Sequence, residues 1–242
     1  MNLADKIRTV EALLTEVADS YRPVGFANSF GAEDVVLTDL IARRAPSIEI
    51  FTLDTGRLPE ATHTLMRELV DRYELPIRIY YPDASELEAL LAEHGPNAFF
   101  DSIELRKACC GVRKVSPLRR ALRGKRAWVT GMRREQSPTR TDIAPAELDS
   151  EHGLRKFNPL FDWTRADVWS YIREQGLPYN ALHDEGYASI GCAPCTRAIT
   201  VGENERAGRW WWEDPDTKEC GLHPAKSAKT DAERAEIDKV TS

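Results

Sequence analysis

No apolar run in this chain approaches the ~20 residues that a membrane-spanning helix needs. The N-terminus has none of the layout of a secretion signal. Leu3, Ile7, Val10, Leu13, Leu14 and Val17 instead recur at helical spacing and mark one face of an amphipathic helix. With both signals missing, the sequence reads as that of a soluble cytoplasmic protein. Cysteine is scarce and odd in number, five in 242 residues. Without a secretion signal, those thiols read as ligands or catalysts before they read as disulfides. The two familiar phosphate loops, GxxxxGK[ST] and GxGxxG, are also missing, as are repeats and low-complexity tracts. Acid is nearly absent from one region: Arg106 to Arg140 holds twelve Lys or Arg and a single acid, Glu135. That stretch is +11 in a chain of net charge −6, which points to an anionic ligand or to a solvated basic face.

What is present suits a large α/β domain. The apolar share of 42% supports a core. After the first helix, PVGFANSF, IEIFTL, IRIYY and RAWVTGM read as strands. GAEDVVLTDLIARRA, LPEATHTLMRELVDRYE and SELEALLAEHG read as helices, the last with a Ser cap and a Gly stop. TRADVWSYIREQG begins with Thr164 three residues before Asp167 and ends at Gly176, a helix marked at both ends. Alternating strands and helices imply a mainly parallel sheet flanked by helices, with ligands beyond the carboxyl ends of the strands. The pattern fades from about Gly191. Ala225 to Ser242 is charged, poor in large apolar residues, and reads as mobile.

Two loops fall on that sheet edge. SFGAED, Ser29 to Asp34, joins the first strand to the next helix. Its small residues, Gly31 among them, let backbone N–H groups and the helix N-terminus approach an anion, and Ser29 adds a hydroxyl. LDTG, Leu53 to Gly56, ends the second strand; Asp54 is placed to hold a ribose hydroxyl or simply to shape the turn.

The cysteines make a second pattern. Cys109 and Cys110 are adjacent, and neighbouring Cα atoms ~3.8 Å apart are too close for an unstrained disulfide. Cys192 and Cys195 form a CxxC. Four thiolates can hold Zn²⁺ or an iron–sulfur cluster, and an adjacent pair suits separate irons better than one tetrahedral ion. Cys220, in KECGLH, is left over as a nucleophile or an incidental thiol. If the other four hold metal, a redox step at Cys220 needs an external thiol to complete it.

SFGAED, LDTG, CCGVRKVSPL, GMRREQSPTR, FNPLFDW, LPYNALHDEGYASIGCAPCTR, ERAGRWWWE and KECGLH occur in that order over roughly residues 25 to 224. Together they resemble the assimilatory sulfonucleotide reductases, specifically the cluster-containing adenylyl-sulfate reductases. The first two motifs are shared more widely among adenine nucleotide alpha hydrolase-like (PP-loop) folds; the CC, CxxC and ECGLH combination is far more specific. The resemblance implies a [4Fe–4S] cluster on Cys109, Cys110, Cys192 and Cys195, and Cys220 as nucleophile. It implies substrate contacts from Lys114, Arg206, Arg209 and His223, with Arg133 and Arg134 assigned more loosely. Trp210 to Trp212 read as packing.

The activity so implied is reduction of adenosine 5′-phosphosulfate to sulfite and AMP by thioredoxin or a glutaredoxin-like thiol donor, through an S-sulfocysteine. Residues 1–205 would form the nucleotide- and cluster-binding domain and residues 206–242 a flexible segment carrying Cys220. A homo-oligomer is compatible with this reading; nucleic-acid and membrane partners are not expected. Three rivals differ in class. A reductase of the 3′-phosphorylated nucleotide shares the sulfate end. An ATP pyrophosphatase, such as a tRNA sulfur-transfer enzyme, leaves Cys220 unexplained. A zinc-stabilised nucleic-acid-binding module would use the basic stretch and would be colourless.

Overall fold

In this computed structural model, residues 2–137 and 142–214 are described. A six-stranded sheet runs in the order β3-β2-β1-β4-β6-β5. The strands are β1 (Val24–Ala27), β2 (Glu49–Leu53), β3 (Ile77–Tyr80), β4 (Ala127–Val129), β5 (Ala146–Asp149) and β6 (Leu154–Phe157). Every neighbouring pair is parallel except β5 with β6, which is antiparallel. The expected α/β class with a mainly parallel sheet is the one observed.

Among the described residues, seven α-helices accompany the sheet: α1 (Leu3–Ser20), α2 (Ala32–Arg44), α3 (Glu60–Tyr73), α4 (Ala84–His94), α5 (Ile103–Cys110), α6 (Ser116–Leu122) and α7 (Arg165–Glu174). The apolar face read for α1 is its packed face: Val10, Leu14 and Val17 are buried, and Leu3, Ile7 and Leu13 pack against the same core. Thr164 caps α7 as read, accepting from the Asp167 N–H while the Asp167 carboxylate accepts from the Thr164 N–H. The cap of α4 is not Ser85 but Asp83, whose carboxylate accepts from the N–H groups of Ser85 and Glu86. A carboxylate suits the positive end of the helix better than a hydroxyl does. The Gly95 stop holds, at φ +80°.

The main core lies between one face of the sheet and its helices. Val24, Phe26, Ile50 and Val129 of the sheet pack with Val35, Val36, Leu40 and Ile41 of α2. A smaller apolar cluster, Phe51, Leu118, Ala121, Leu122 and Trp128, seats α6 on the other face.

The strand order fixes where a ligand can bind. From β1 the chain steps outward to β2 and β3, then returns to the opposite side of β1 as β4. The connections leaving β1 and β4 therefore diverge at the carboxyl ends, which opens a crevice there.

Candidate active site: a nucleotide cleft joined to a cysteine cavity

A cleft of about 230 Å³ occupies that crevice. Ser29, Gly31, Asp34, Thr55, Thr130 and Gly131 line it, on loops that follow β1, β2 and β4. Gly31 is the N-cap of α2 and provides no side-chain cap, so the helix presents its first N–H groups without an internal partner. The Ser29 N–H and hydroxyl both donate to Asp34 Oδ2, at 2.6 and 2.7 Å, which closes the loop on itself. Burial pushes the Asp34 carboxyl up to about 7, against the opposing pull of the two Ser29 bonds. A Cβ on Gly131 would overlap the Asp34 carboxylate, so only glycine lets β4 end this close to the loop.

Of the two readings made for Asp54 in the LDTG loop, turn shaping is the one its hydrogen bonds match. Asp54 does not line the cleft. Its carboxylate accepts from the Gly56 N–H at 2.8 Å and meets His63 Nε2 at 2.9 Å, which shapes the turn. Thr52, Leu53 and Thr55 form the wall instead.

Behind the cleft lies a smaller cavity lined by Cys109, Cys110, Cys192 and Cys195. The first two sit at the end of α5, which passes through a π-turn, Gly111–Val115, directly into α6. The second two lie on a short 3₁₀ turn, Ala193–Cys195, and just before it. Among the described residues, the cavity wall contains no carboxylate and five cations: Arg57, Arg106, Arg113, Lys114 and Arg209. Four thiols inside a cationic shell fit a thiolate-ligated metal centre, whose charge is negative once the thiols are deprotonated. Among the described residues, no three His, Cys, Asp or Glu side chains form a group that could hold a single metal ion.

Electrostatics separates the thiols. Burial and the neighbouring Cys192 push Cys195 up to about 12. Burial also raises Cys109, opposed by Arg113. Burial would raise Cys192 too, but Lys114, the Thr55 hydroxyl, Arg209 and Arg113 outweigh it and bring that thiol down. Thr55 Oγ1 lies 3.2 Å from Cys192 Sγ, and the Thr55 carbonyl accepts from Arg113 at 2.6 Å.

Lys114, Arg209 and Trp210 line both cavities. Arg209 donates to the Ile190 carbonyl at 3.2 Å and rests against Gly191, where any Cβ would overlap its guanidinium. Trp210, taken as packing, is fully buried, with the Arg106 and Arg209 guanidinium groups over its ring at 4.7 and 4.8 Å from the centre. Arg206 lines the cleft. Arg133 does not line it. It is buried and donates to Glu33, Glu135 and Glu205 from its side chain and to Gln136 from its backbone, so it bears on the cleft through the wall residues Glu33, Glu205 and Gln136. Arg134 donates to the Ile143 carbonyl and also lies off the wall. Cys220 and His223 lie outside the described residues.

The comparisons with known proteins agree with this geometry. Residues 23–198 match the model of the phosphoadenosine phosphosulfate reductase domain. The chain belongs to that family. It is 52% identical over 223 residues to the adenosine 5′-phosphosulfate reductase of Allochromatium vinosum, covering 90% of this chain and 87% of the relative. It is 51% identical over 221 residues to the enzyme of that name from Burkholderia cepacia, covering 91% and 88%. Among solved structures, the phosphoadenylyl-sulfate reductase of Candida auris, in a phosphate complex, superposes with a TM-score of 0.68 at 27% identity, covering 81% of this chain and 96% of that one. The FMN adenylyltransferase of Candida glabrata, at 15% identity and a TM-score of 0.58, covers 99% of this chain and 80% of that one, and shares the fold alone.

Of the functional features, sequence reasoning missed Thr55, Arg113, Gly131 and Gly191. The two glycines sat in motifs already quoted, but which atom each makes room for is visible only in three dimensions.

Proposed function

We propose that this protein reduces adenosine 5′-phosphosulfate to sulfite and AMP, with a [4Fe–4S] cluster on Cys109, Cys110, Cys192 and Cys195 and with Cys220 as nucleophile. One observation carries the reading: Lys114 and Arg209 line both the nucleotide cleft and the four-cysteine cavity. A phosphosulfate in the cleft would thus meet cations that also face the thiolate centre. The relatives near 50% identity carry the name of this activity, while the relative named for the 3′-phosphorylated substrate is 27% identical.

The chemistry follows from charge. The sulfur of the substrate is shielded by anionic oxygens that repel a thiolate. Lys114, Arg206 and Arg209 neutralise those oxygens and the departing phosphate, while the SFGAED backbone holds the nucleotide. The Cys220 thiolate attacks sulfur, the S–O bond breaks with its electron pair going to AMP, and S-sulfocysteine forms. A thiolate of thioredoxin or a similar dithiol protein then attacks the Cys220 sulfur and expels sulfite with the S–S bonding pair. The second thiol of the donor resolves the mixed disulfide, which returns Cys220 and leaves the donor oxidised. Cys109, Cys110, Cys192 and Cys195 would hold the cluster, which would supply a fixed charge near Lys114; no electron need pass through it. His223, two residues past the Gly that follows Cys220 in ECGLH, serves to bind or orient substrate.

The separable piece carrying Cys220 was read from residue 206, and its first residues are packed: the Trp210 N–H donates to Cys195 O and the Arg197 N–H to Gly208 O. Among the described residues no helix is long and apolar enough to cross a membrane. The deciding experiment is anaerobic turnover of each nucleotide, with and without the 3′-phosphate, plus reduced thioredoxin, assayed for sulfite. No sulfite from adenosine 5′-phosphosulfate would overturn the reading.

A further inference from the structure

The outer side of the cysteine cavity carries an aromatic surface that the reaction as described does not use. Phe99 lines the cavity, and Trp212 packs on the same cluster. Outside them lie Phe100 and Trp211, 42% and 40% exposed. The Phe100 ring is 4.5 Å from Trp212 and 6.2 Å from Trp211, and the two tryptophans meet edge to face at 4.7 Å. Two large rings held open to water by a rigid aromatic base make a surface that gains by being covered. They lose little conformational entropy when a partner lands on them, and tryptophan is enriched among residues that dominate binding energy.

The chain itself says what lands there. Trp211 is nine residues before Cys220 in the sequence. The start of that stretch is fixed by a buried two-point pair. Arg106 Nε donates to Glu213 Oε1 at 2.8 Å and its NH2 group to Oε2 at 2.7 Å, with both side chains at most 3% exposed. From Glu213, seven residues span on the order of 25 Å at full extension. The attacking thiol of a donor protein must therefore come within that radius of Glu213, two residues past Trp211 in the chain. A globular partner of ~100 residues, with a radius of gyration of ~13 Å, is broad enough to cover both points.

We propose that Phe100 and Trp211 form the docking surface for the dithiol reductant that discharges Cys220. This rests on the functional reading above and adds to it a place on the molecule. The two half-reactions then use different surfaces. Sulfo transfer to Cys220 needs the cleft and the cations; discharge needs the patch. A small dithiol such as dithiothreitol makes no use of the patch.

The test is the Trp211→Ala/Phe100→Ser double variant of the full-length, cluster-loaded protein, with each single variant alongside. AMP release in the absence of thiol, iron content and turnover with dithiothreitol are expected to match the wild type. The KM for thioredoxin is expected to rise about tenfold or more. In a trapped mixed disulfide between Cys220 and a thioredoxin lacking its resolving cysteine, amides 97–101 and 211–213 are expected to gain protection from hydrogen exchange. An unchanged thioredoxin KM overturns the proposal, as does a change in oligomeric state with that KM unaltered, which would make the patch a contact between copies. Absence of thiol-independent AMP release from the wild type would instead bring down the functional reading, and the docking proposal with it.

Discussion

The Thr55 hydroxyl touches the Cys192 sulfur at 3.2 Å, and through its carbonyl the same residue holds Arg113, the guanidinium beside Cys109. A residue of the nucleotide loop is therefore bonded directly to one cysteine and indirectly to another. The two halves of the site share a wall.

Replacing any of Cys109, Cys110, Cys192 or Cys195 with Ser is expected to lower iron and acid-labile sulfide together and to lower thermal stability, because metal binding adds to folding free energy. Metal analysis and a melting curve on anaerobically purified protein check this. Full iron retention in Cys110→Ser would remove the explanation for the adjacent cysteines.

Lys114→Ala is expected to slow turnover by ~10²–10³, the range seen when one transition-state charge donor is lost. The measurement is single-turnover AMP release at saturating substrate. An unchanged rate would mean that the basic stretch serves only as a solvated face.

Gly191→Ala places a methyl group where the Arg209 guanidinium lies, so Arg209 must leave its position. Losing a charge-assisted bond of about 1.5–3 kcal/mol is expected to raise KM by roughly 10- to 100-fold while the protein stays folded. A KM within twofold of wild type would show that Arg209 does not hold substrate.

Asp34 gives a pH dependence of known sign. Its folded value is about 7 against an ordinary 3.8, with burial as the main cause. Between those values the folded protein keeps a proton that the unfolded chain has released. Stability from this group is thus fully present below about pH 4, falls as pH rises towards 7, and is level above that. Its whole range is at most about 4 kcal/mol. Denaturation midpoints of wild type and Asp34→Asn at pH 5 and pH 8 isolate the effect: the wild type is expected to lose more between the two.

Cys220→Ser is expected to keep its iron and its affinity for AMP but to form no covalent adduct and release no sulfite. Wild type mixed with labelled substrate and no thiol is expected to trap one sulfo group on the Cys220 peptide, read by mass spectrometry. Labelling on another residue would sink the nucleophile assignment.

The parallel core was legible because its elements announce themselves: α1 by its apolar face, α7 by Thr164 and Asp167. The β5–β6 hairpin was not. Ala146–Asp149 and Leu154–Phe157 are short and charged, and Lys156 is buried with Glu147 paired to it across the strands and the Trp128 ring beside its ammonium, contacts that local sequence does not display. In the site, residue type revealed the thiols and the basic stretch. It did not say which charges face the ligand. Arg133 and Lys114 look alike in sequence, yet Glu33, Glu135 and Glu205 hold the first while the second reaches both cavities.

The π-turn at Gly111–Val115 sets the phase between two helices. It winds more widely than an α-turn. On one side of it α5 is keyed to the cysteine cavity by Arg106 and Cys110; on the other, α6 is keyed to the sheet by Leu118, Ala121 and Leu122. Deleting one residue would rotate one key against the other by roughly 100°, so only one of them could still fit its lock. A side chain at Gly111, by contrast, would meet nothing within 4 Å. At Gly111 the identity of the residue is free; the number of residues through the turn is not.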